Sequence, residues 1–312
     1  MSTPAITLDG LTKDYAVGFW RPRPHRALDQ VSLEVATGEV LGYLGPNGAG
    51  KTTTLKLLMQ LIYPTAGTAE ILGCPAGDVD ASLRLGYLPE LPYFYDNLSA
   101  EELLIYFGGL FGLSTADARE RATTLLDRVG LGAARHQRLR RYSKGMLQRV
   151  GIAQALVNDP EVVFLDEPMS GLDPVGRRDM RELIRQLGAE GRTVFFSSHI
   201  LSDAEALCSR VAIMARGKLI ATGRIADLAF EVRGWELVVS GASADDVRAL
   251  GLEESTREVD GRQVIELAID QPPDRILPEL ARHGAQVVSL TPRHESLEDY
   301  FMRVVSQPGE AS

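Results

Sequence analysis

The sequence predicts an α/β fold followed by a smaller α+β unit, and three observations carry that prediction. Short, continuous apolar runs at Val40–Leu44, Val162–Leu165 and 193–196 have the character of strands buried on both faces of a parallel sheet. Helix-like segments lie between such runs, as crossovers joining parallel strands require. After about Ala226 the order changes to strand, helix, strand, strand, helix, strand, with a tight Asp260-Gly261 turn between the two middle strands.

Taken in order, residues 6–8 and 31–35 read as strands from alternating or continuous apolar positions, and Val40–Leu44 as the next. A glycine-rich loop follows, then a helix expected over 52–62 and stopped by Pro64. Ser99 and Glu102 have the spacing of a capping box, opening a helix that carries Leu103, Leu104, Tyr106 and Phe107. Further helices are expected over 116–129 and, as a crossover, over 176–187. The domain made by these elements spans 1–226. Beyond it, strands are expected at 235–240, 257–259, 264–268 and 286–290, with helices at 244–250, 273–283 and, last, 296–305. That order suggests a small ferredoxin-like unit over 227–312 with one extra helix.

Composition removes several classes. Of 312 residues, 45% are hydrophobic and 24% charged, as in an ordinary globular protein, which sets aside disorder, collagen and coiled coil. The uncharged stretch 103–116 is broken by Gly108, Gly109 and Gly112 and is too short to cross a bilayer. The first ten residues have no basic start and no apolar core, so a secretory signal is not expected. A net charge of −9 argues against general nucleic-acid binding, which needs clustered cations to neutralise phosphates. Cys74 and Cys208 are far apart and in no metal-binding spacing, consistent with a reduced compartment.

Gly45-Pro46-Asn47-Gly48-Ala49-Gly50-Lys51-Thr52, followed by Thr53, matches G-x-x-x-x-G-K-[ST] between a strand and a helix. Glycines at 45, 48 and 50 let backbone N–H groups turn inward around phosphate oxygens at a helix N-terminus. Lys51 would then reach the β- and γ-phosphates, and the Thr52 hydroxyl would ligate Mg²⁺. A plain glycine-rich turn is the bland alternative. The strand Val162–Leu165 ends in Asp166 and Glu167, beside the crevice where parallel sheets bind ligands. Asp166 suits Mg²⁺ and Glu167 suits the polarising of a water; a solvated acidic loop is the other reading of that pair alone.

Between these motifs lies Tyr142-Ser143-Lys144-Gly145-Met146-Leu147-Gln148-Arg149. Here the chain resembles the ATP-binding-cassette (ABC) ATPases, whose signature reads Leu-Ser-Gly-Gly-Gln. Ser143 and Gly145 match that core and Gln148-Arg149 continue it, while Tyr142, Lys144 and Met146 depart in a form similar to bacterial members paired with ABC-2-type permeases. Ser143 and the N–H groups opening this helix make a second anion site. Other elements fall in family order. Ser170-Gly-Leu-Asp173 resembles the D-loop, whose Asp crosses a dimer interface; His199 matches the switch histidine at the γ-phosphate; Tyr15 matches the aromatic that stacks on adenine, or else simply packs.

The resemblance covers roughly 4–226. It implies a P-loop ATPase domain of mixed sheet with a helical subdomain over about 91–158, ATP and Mg²⁺ as ligands, and a head-to-tail homodimer holding two ATP molecules. It also implies a separate membrane permease, so that the chain sits on the cytoplasmic face of the membrane and energises transport, with export suggested by the ABC-2 similarity. A soluble ABC ATPase acting on ribosomes or DNA is the alternative, but it resembles tandem cassettes or cassettes with coiled-coil insertions, neither of which this chain shows. Dimer stabilisation or regulation is the expectation for 227–312.

One position departs. In Gly86-Tyr-Leu-Pro89-Glu90 the family's glutamine is replaced by Glu90, which can ligate Mg²⁺ but cannot donate a hydrogen bond while ionised. The three aromatics of Pro92-Tyr93-Phe94-Tyr95 cannot all enter one core; in the family this neighbourhood receives the permease, so contact is expected at 90–95, with local packing as the alternative. Two basic stretches, 135–141 and the presumed loop 20–26, read as solvated surface, the second also as a site for anionic lipid headgroups.

Overall fold

The computed structural model describes residues 3–18, 23–228, 232–252, 255–294 and 297–306. They divide into two units, one reaching Ala226 and the other starting at Asp227. The first unit runs β1 (Ile6–Val17), β2 (Arg23–Val35), β3 (Val40–Leu44), α1 (Lys51–Leu58), β4 (Ala66–Ile71), β5 (Cys74–Pro75), α2 (Val79–Ser82) and β6 (Leu85–Leu88). It continues with α3 (Ala100–Leu110), α4 (Thr115–Arg128), α5 (Lys144–Ala155), β7 (Val162–Leu165), α6 (Pro174–Ala189), β8 (Thr193–Ser198), α7 (Leu201–Leu207), β9 (Arg210–Ala215) and β10 (Lys218–Arg224).

Two sheets organise this unit. Strands β2-β1-β4-β5 form an antiparallel sheet, and β10-β9-β3-β8-β7-β6 a mixed one in which only β10 runs against its neighbour. The apolar faces of the two sheets enclose α1. Ile6, Leu8, Val31 and Leu33 from one side and Tyr43, Phe164 and Phe195 from the other pack around Leu55 and Leu58. The Phe195 ring lies 4.9 Å from Tyr43 and 5.9 Å from Phe164, centroid to centroid, and all three are fully buried. Within this core the Tyr43 hydroxyl meets Thr54 Oγ1 at 3.1 Å, and burial pushes its pKa well above the usual phenol value. The opposite face of the mixed sheet is covered by α5, α6 and α7. Phe195→Ala removes a ring with no route for collapse between two aromatic neighbours, and is expected to cost about 3–5 kcal/mol. Urea unfolding of the variant measures this; a loss below about 1 kcal/mol would contradict the packing described.

Helices α3, α4 and α5 pack on one another, α5 also resting on β6, with no strand among the described residues of 91–158. Ser99 caps α3 as its spacing predicts: Glu102 N–H donates to Ser99 Oγ at 3.2 Å, and Ser99 N–H to Glu102 Oε2 at 2.8 Å. The backbone and side-chain hydrogen bonds from Ser99 hold the Glu102 carboxyl below the usual range. Helix α1 is shorter than the expected 52–62, because Gln60 takes φ 51° and Leu61 N–H closes back on Lys56 O at 2.8 Å. The helix therefore stops well before Pro64. The basic stretch expected to be a loop is also corrected, since residues 23–26 belong to β2; Trp20, Arg21 and Pro22 lie outside the described residues.

The second unit runs β11 (Val232–Ser240), α8 (Ala244–Ala249), β12 (Thr256–Val259), β13 (Arg262–Ala268), α9 (Pro273–Arg282), β14 (Gln286–His294) and α10 (Leu297–Ser306). Its sheet order is β12-β13-β11-β14 with every pair antiparallel, so each β-α-β unit is split by a strand of the other. Leu237, Val239, Ile265 and Leu267 form its core with Val247 and Leu280 from the helices. Ser296, expected to open the last helix, lies outside the described residues.

Candidate functional site

The register of the mixed sheet assembles the site. Leu44 pairs with Ser198, Leu165 with Phe196 and Leu88 with Leu165, all in parallel. The segments leaving those strands therefore emerge at one edge: the loop 45–50, Pro89-Glu90, Asp166-Glu167 and His199. This is the carboxyl edge where open α/β sheets bind ligands.

The loop 45–50 cannot tolerate side chains where it has none. Gly48 and Gly50 take φ of 80° and 107°, in the left-handed region. A Cβ on Gly50 would lie 2.6 Å from Leu28 Cδ2, and one on Gly45 2.5 Å from Met214 O. Gly50 precedes α1 with no side-chain cap, so the first N–H groups of the helix lack internal partners and point toward the loop's concavity. Lys51 Nζ donates to Gly45 O at 2.7 Å and Pro46 O at 3.3 Å, and it lies 3.2 Å from Glu167 Oε1. Both members of that ion pair are buried, at 6% and 9% side-chain exposure.

Glu167 is held from several sides. Its backbone has φ 48°, a conformation that costs a long side chain of order 1–3 kcal/mol and is typical of functional positions. Its N–H donates to Ser197 Oγ at 2.9 Å, and its Oε2 lies 2.8 Å from His199 Nδ1. Ser197 Oγ in turn donates to Asp166 Oδ1 at 2.7 Å, and Thr52 Oγ1 donates to the same oxygen at 3.2 Å. Burial is the largest influence on Asp166 and raises its pKa above the usual carboxylate value; the hydrogen bonds from Ser197 and Thr52 work against that rise.

A cavity of about 480 Å³ opens over this edge. Its walls are Tyr15, His25, Ala27, residues 47–53, Glu90, Glu167, Ser170 and His199. The structure thus brings Tyr15, Asn47, Gly48, Ala49, Gly50, Lys51, Thr52, Thr53, Glu90, Glu167 and His199 around one space, with Asp166 beneath it and the carbonyls of Gly45 and Pro46 bonded to Lys51. It does not bring Ser143, Gly145 or Asp173 there. Ser143 is exposed and caps α5, its Oγ accepting from Met146 N–H at 3.2 Å. Asp173 caps α6, with Oδ1 accepting from Gly176 N–H at 2.7 Å. These two helix starts are neighbours, since a Cβ on Gly145 would lie 3.5 Å from Leu172 Cδ2.

The residues fit a nucleotide and Mg²⁺. A hydroxyl and a carboxylate oxygen, Thr52 Oγ1 and Asp166 Oδ1, converge, and both are hard ligands of the kind Mg²⁺ takes. Among the described residues no group of three or more His, Cys, Asp or Glu side chains could hold a metal unaided. That suits an ion bound by one or two protein oxygens and completed by phosphates and water. Three wall or support residues had no place among the sequence candidates: Ser197, His25 and Ala27. Ser197 carried no motif signal, His25 stood in what read as a loop, and Ala27 lay just beyond it.

Comparison with known proteins agrees with this geometry. A sequence profile described as ABC transporter matches residues 28–170. An ABC transporter ATP-binding protein of Synechocystis sp. is 46% identical over 308 residues, covering 96% of this chain and 84% of that one. A Nod factor export ATP-binding protein of Ralstonia nicotianae is 33% identical, covering 98% of this chain and 95% of its own length. Among solved structures, a dimeric ATP-binding cassette in a post-hydrolysis state, bound to ADP and Pi, matches with a TM-score of 0.65 at 25% identity. That match covers 70% of this chain and 98% of the other. With relatives aligned over nearly its whole length and a phosphate loop, paired carboxylates and a histidine at one sheet edge, the chain belongs to the ATP-binding subunits of ABC transporters and is an ATPase of that family.

Proposed function

We propose that two copies of this chain close head to tail over two ATP molecules and so energise export through a separate permease of the ABC-2 type, from the cytoplasmic face of the membrane. The observation that carries this reading is the one-sidedness of the cavity. Lys51 and its loop line it, whereas the start of α5 at Ser143, which this reading takes as a second anion site, stands exposed and elsewhere. A triphosphate held by the first would present its outer face to the second only across two molecules. Gly145 and the D-loop Asp173 lie beside Ser143 and would join that contact.

In this reading Tyr15 stacks on the adenine, Lys51 moves from Glu167 to the phosphates, and the N–H groups of residues 48–53 hold the phosphate oxygens. Thr52, Asp166 and Glu90 would hold Mg²⁺, whose charge offsets that building on the phosphate oxygens. Glu167 accepts the proton of the attacking water, and His199, hydrogen-bonded to it at 2.8 Å, orients the carboxylate and senses the γ-phosphate. Residues 227–312 act in this reading as an accessory domain that stabilises or regulates the dimer.

The permease would dock on residues 90–95 and their surroundings. Phe94 is buried and anchors the segment, while Leu91, Tyr93 and Tyr95 are 73%, 97% and 64% exposed. Tyr95 makes an edge contact with Tyr106, itself half exposed, with Leu110 exposed on the same helix. A cluster of this size left exposed among the described residues suits an apolar partner surface. The paired substitution Tyr93→Asp with Tyr95→Asp is expected to leave ATP binding intact and abolish recovery of the chain with the membrane fraction. Unchanged membrane recovery would overturn the docking site.

A further inference from the structure

We infer that His25 is a nucleobase-contacting residue, forming with Tyr15 a two-sided clasp that holds the base of the bound nucleotide. This rests on the reading of the cavity as the ATP site. In β1 and β2, His25 is the direct cross-strand partner of Tyr15, and both line that cavity. Side chains so paired have Cβ atoms about 4.5–5.5 Å apart, close enough to touch one planar ligand together.

A β-bulge places them there. Lys13 pairs with Leu28 and Asp14 with Arg26, so Ala27 is left without a partner of its own. Bulges re-aim the side chains beside them. Here Ala27 abuts the phosphate loop, its carbonyl 2.8 Å from where a Cβ on Gly50 would sit. His25 precedes Ala27 by two residues in β2 and is level with Tyr15, and both line the cavity with residues 47–53. A nucleotide whose phosphates occupy the cradle extends its base toward that pair.

The neighbouring cations are already committed. Arg26 grips Asp14 through two nitrogens, at 2.9 and 3.1 Å, and reaches Asp29 at 3.0 Å. This locks the register next to His25 and Tyr15. Lys13 donates to Tyr63 O at 2.6 Å and stands 5.3 Å from the Tyr15 ring centre, over one of its faces. Among the described residues the His25 imidazole has no hydrogen bond or ion pair, so its donor and acceptor are available to the edge of a base stacked on Tyr15.

The test measures binding of ATP and of inorganic tripolyphosphate to the full-length chain, with KM and kcat alongside. His25→Ala is expected to weaken ATP binding and raise KM about three- to tenfold, the scale of one net hydrogen bond. It should leave kcat and tripolyphosphate binding unchanged, and His25→Gln should recover most of the loss. Unchanged ATP affinity in His25→Ala would overturn the clasp, and so would an equal loss for tripolyphosphate, which would place His25 on the phosphates. ATP binding that survived Lys51→Ala undiminished, in a chain with His25 intact, would instead overturn the reading of the cavity, a distinguishable failure.

Discussion

Glu167→Gln is expected to lower ATP turnover by about two to four orders of magnitude, the usual contribution of a positioned general base, with folding and nucleotide binding retained. The amide has the shape of the carboxylate. Its oxygen can still accept from Lys51 Nζ, 3.2 Å away, and its backbone keeps the hydrogen bond to Ser197 and the φ of 48°. The ability to take a proton from water is lost, together with the charge that faces buried Lys51, whose ammonium keeps its hydrogen bonds to Gly45 O and Pro46 O. Single-turnover and steady-state phosphate release measure the effect, and a turnover within about threefold of wild type would remove Glu167 as the base.

Lys51→Ala should weaken ATP binding by about 10- to 100-fold, because a charge-assisted hydrogen bond is worth about 1.5–3 kcal/mol. It should also destabilise the fold, for a separate reason. The Lys51–Glu167 pair is almost wholly buried, and removing one partner leaves an uncompensated charge at a typical cost of about 3–5 kcal/mol. His199, 2.8 Å from the other Glu167 oxygen, offsets part of that cost when it carries a proton. The two effects separate in the double variant Lys51→Ala/Glu167→Gln, which should regain stability and not ATP affinity. Urea unfolding and nucleotide titration of the three variants decide this. ATP binding by Lys51→Ala at wild-type strength would contradict the phosphate cradle, and recovery of binding in the double variant would show that its loss came from the stranded carboxylate.

Some parts of the molecule were readable from the sequence because local chemistry alone determines them. The capping box at Ser99 and Glu102 and the run Val162–Leu165 are of this kind, since a cap needs only residue types at a spacing and a strand buried on both faces has no polar positions. Strand β4 was not readable: Ile71 is its one buried residue, so Ala66–Ile71 shows neither alternation nor an apolar run. Strand β9, Arg210–Ala215, carries a continuous apolar run from Val211 to Ala215. The end of α1 was misplaced because Pro64 is the conspicuous breaker, while the turn is made earlier by Gln60 in a conformation its type does not announce.

The site divides in the same way. Residues 45–53, Asp166, Glu167 and His199 stand next to strand ends and carry recognisable spacing. Ser197, which ties Glu167 to Asp166, is one hydroxyl in a buried strand, and its importance lies in a register between β7 and β8. His25 reaches the cavity only through the bulge at Ala27, a feature of pairing between strands rather than of either strand.

The central claim is that Lys51 of one copy and Ser143 of another enclose the same triphosphate. Size-exclusion chromatography with light scattering on the Glu167→Gln chain, with and without saturating ATP and Mg²⁺, tests it most directly. A monomer without nucleotide, a dimer with it, and loss of that dimer on adding Ser143→Arg are the expected results. A Glu167→Gln chain that binds ATP and stays monomeric throughout would contradict it.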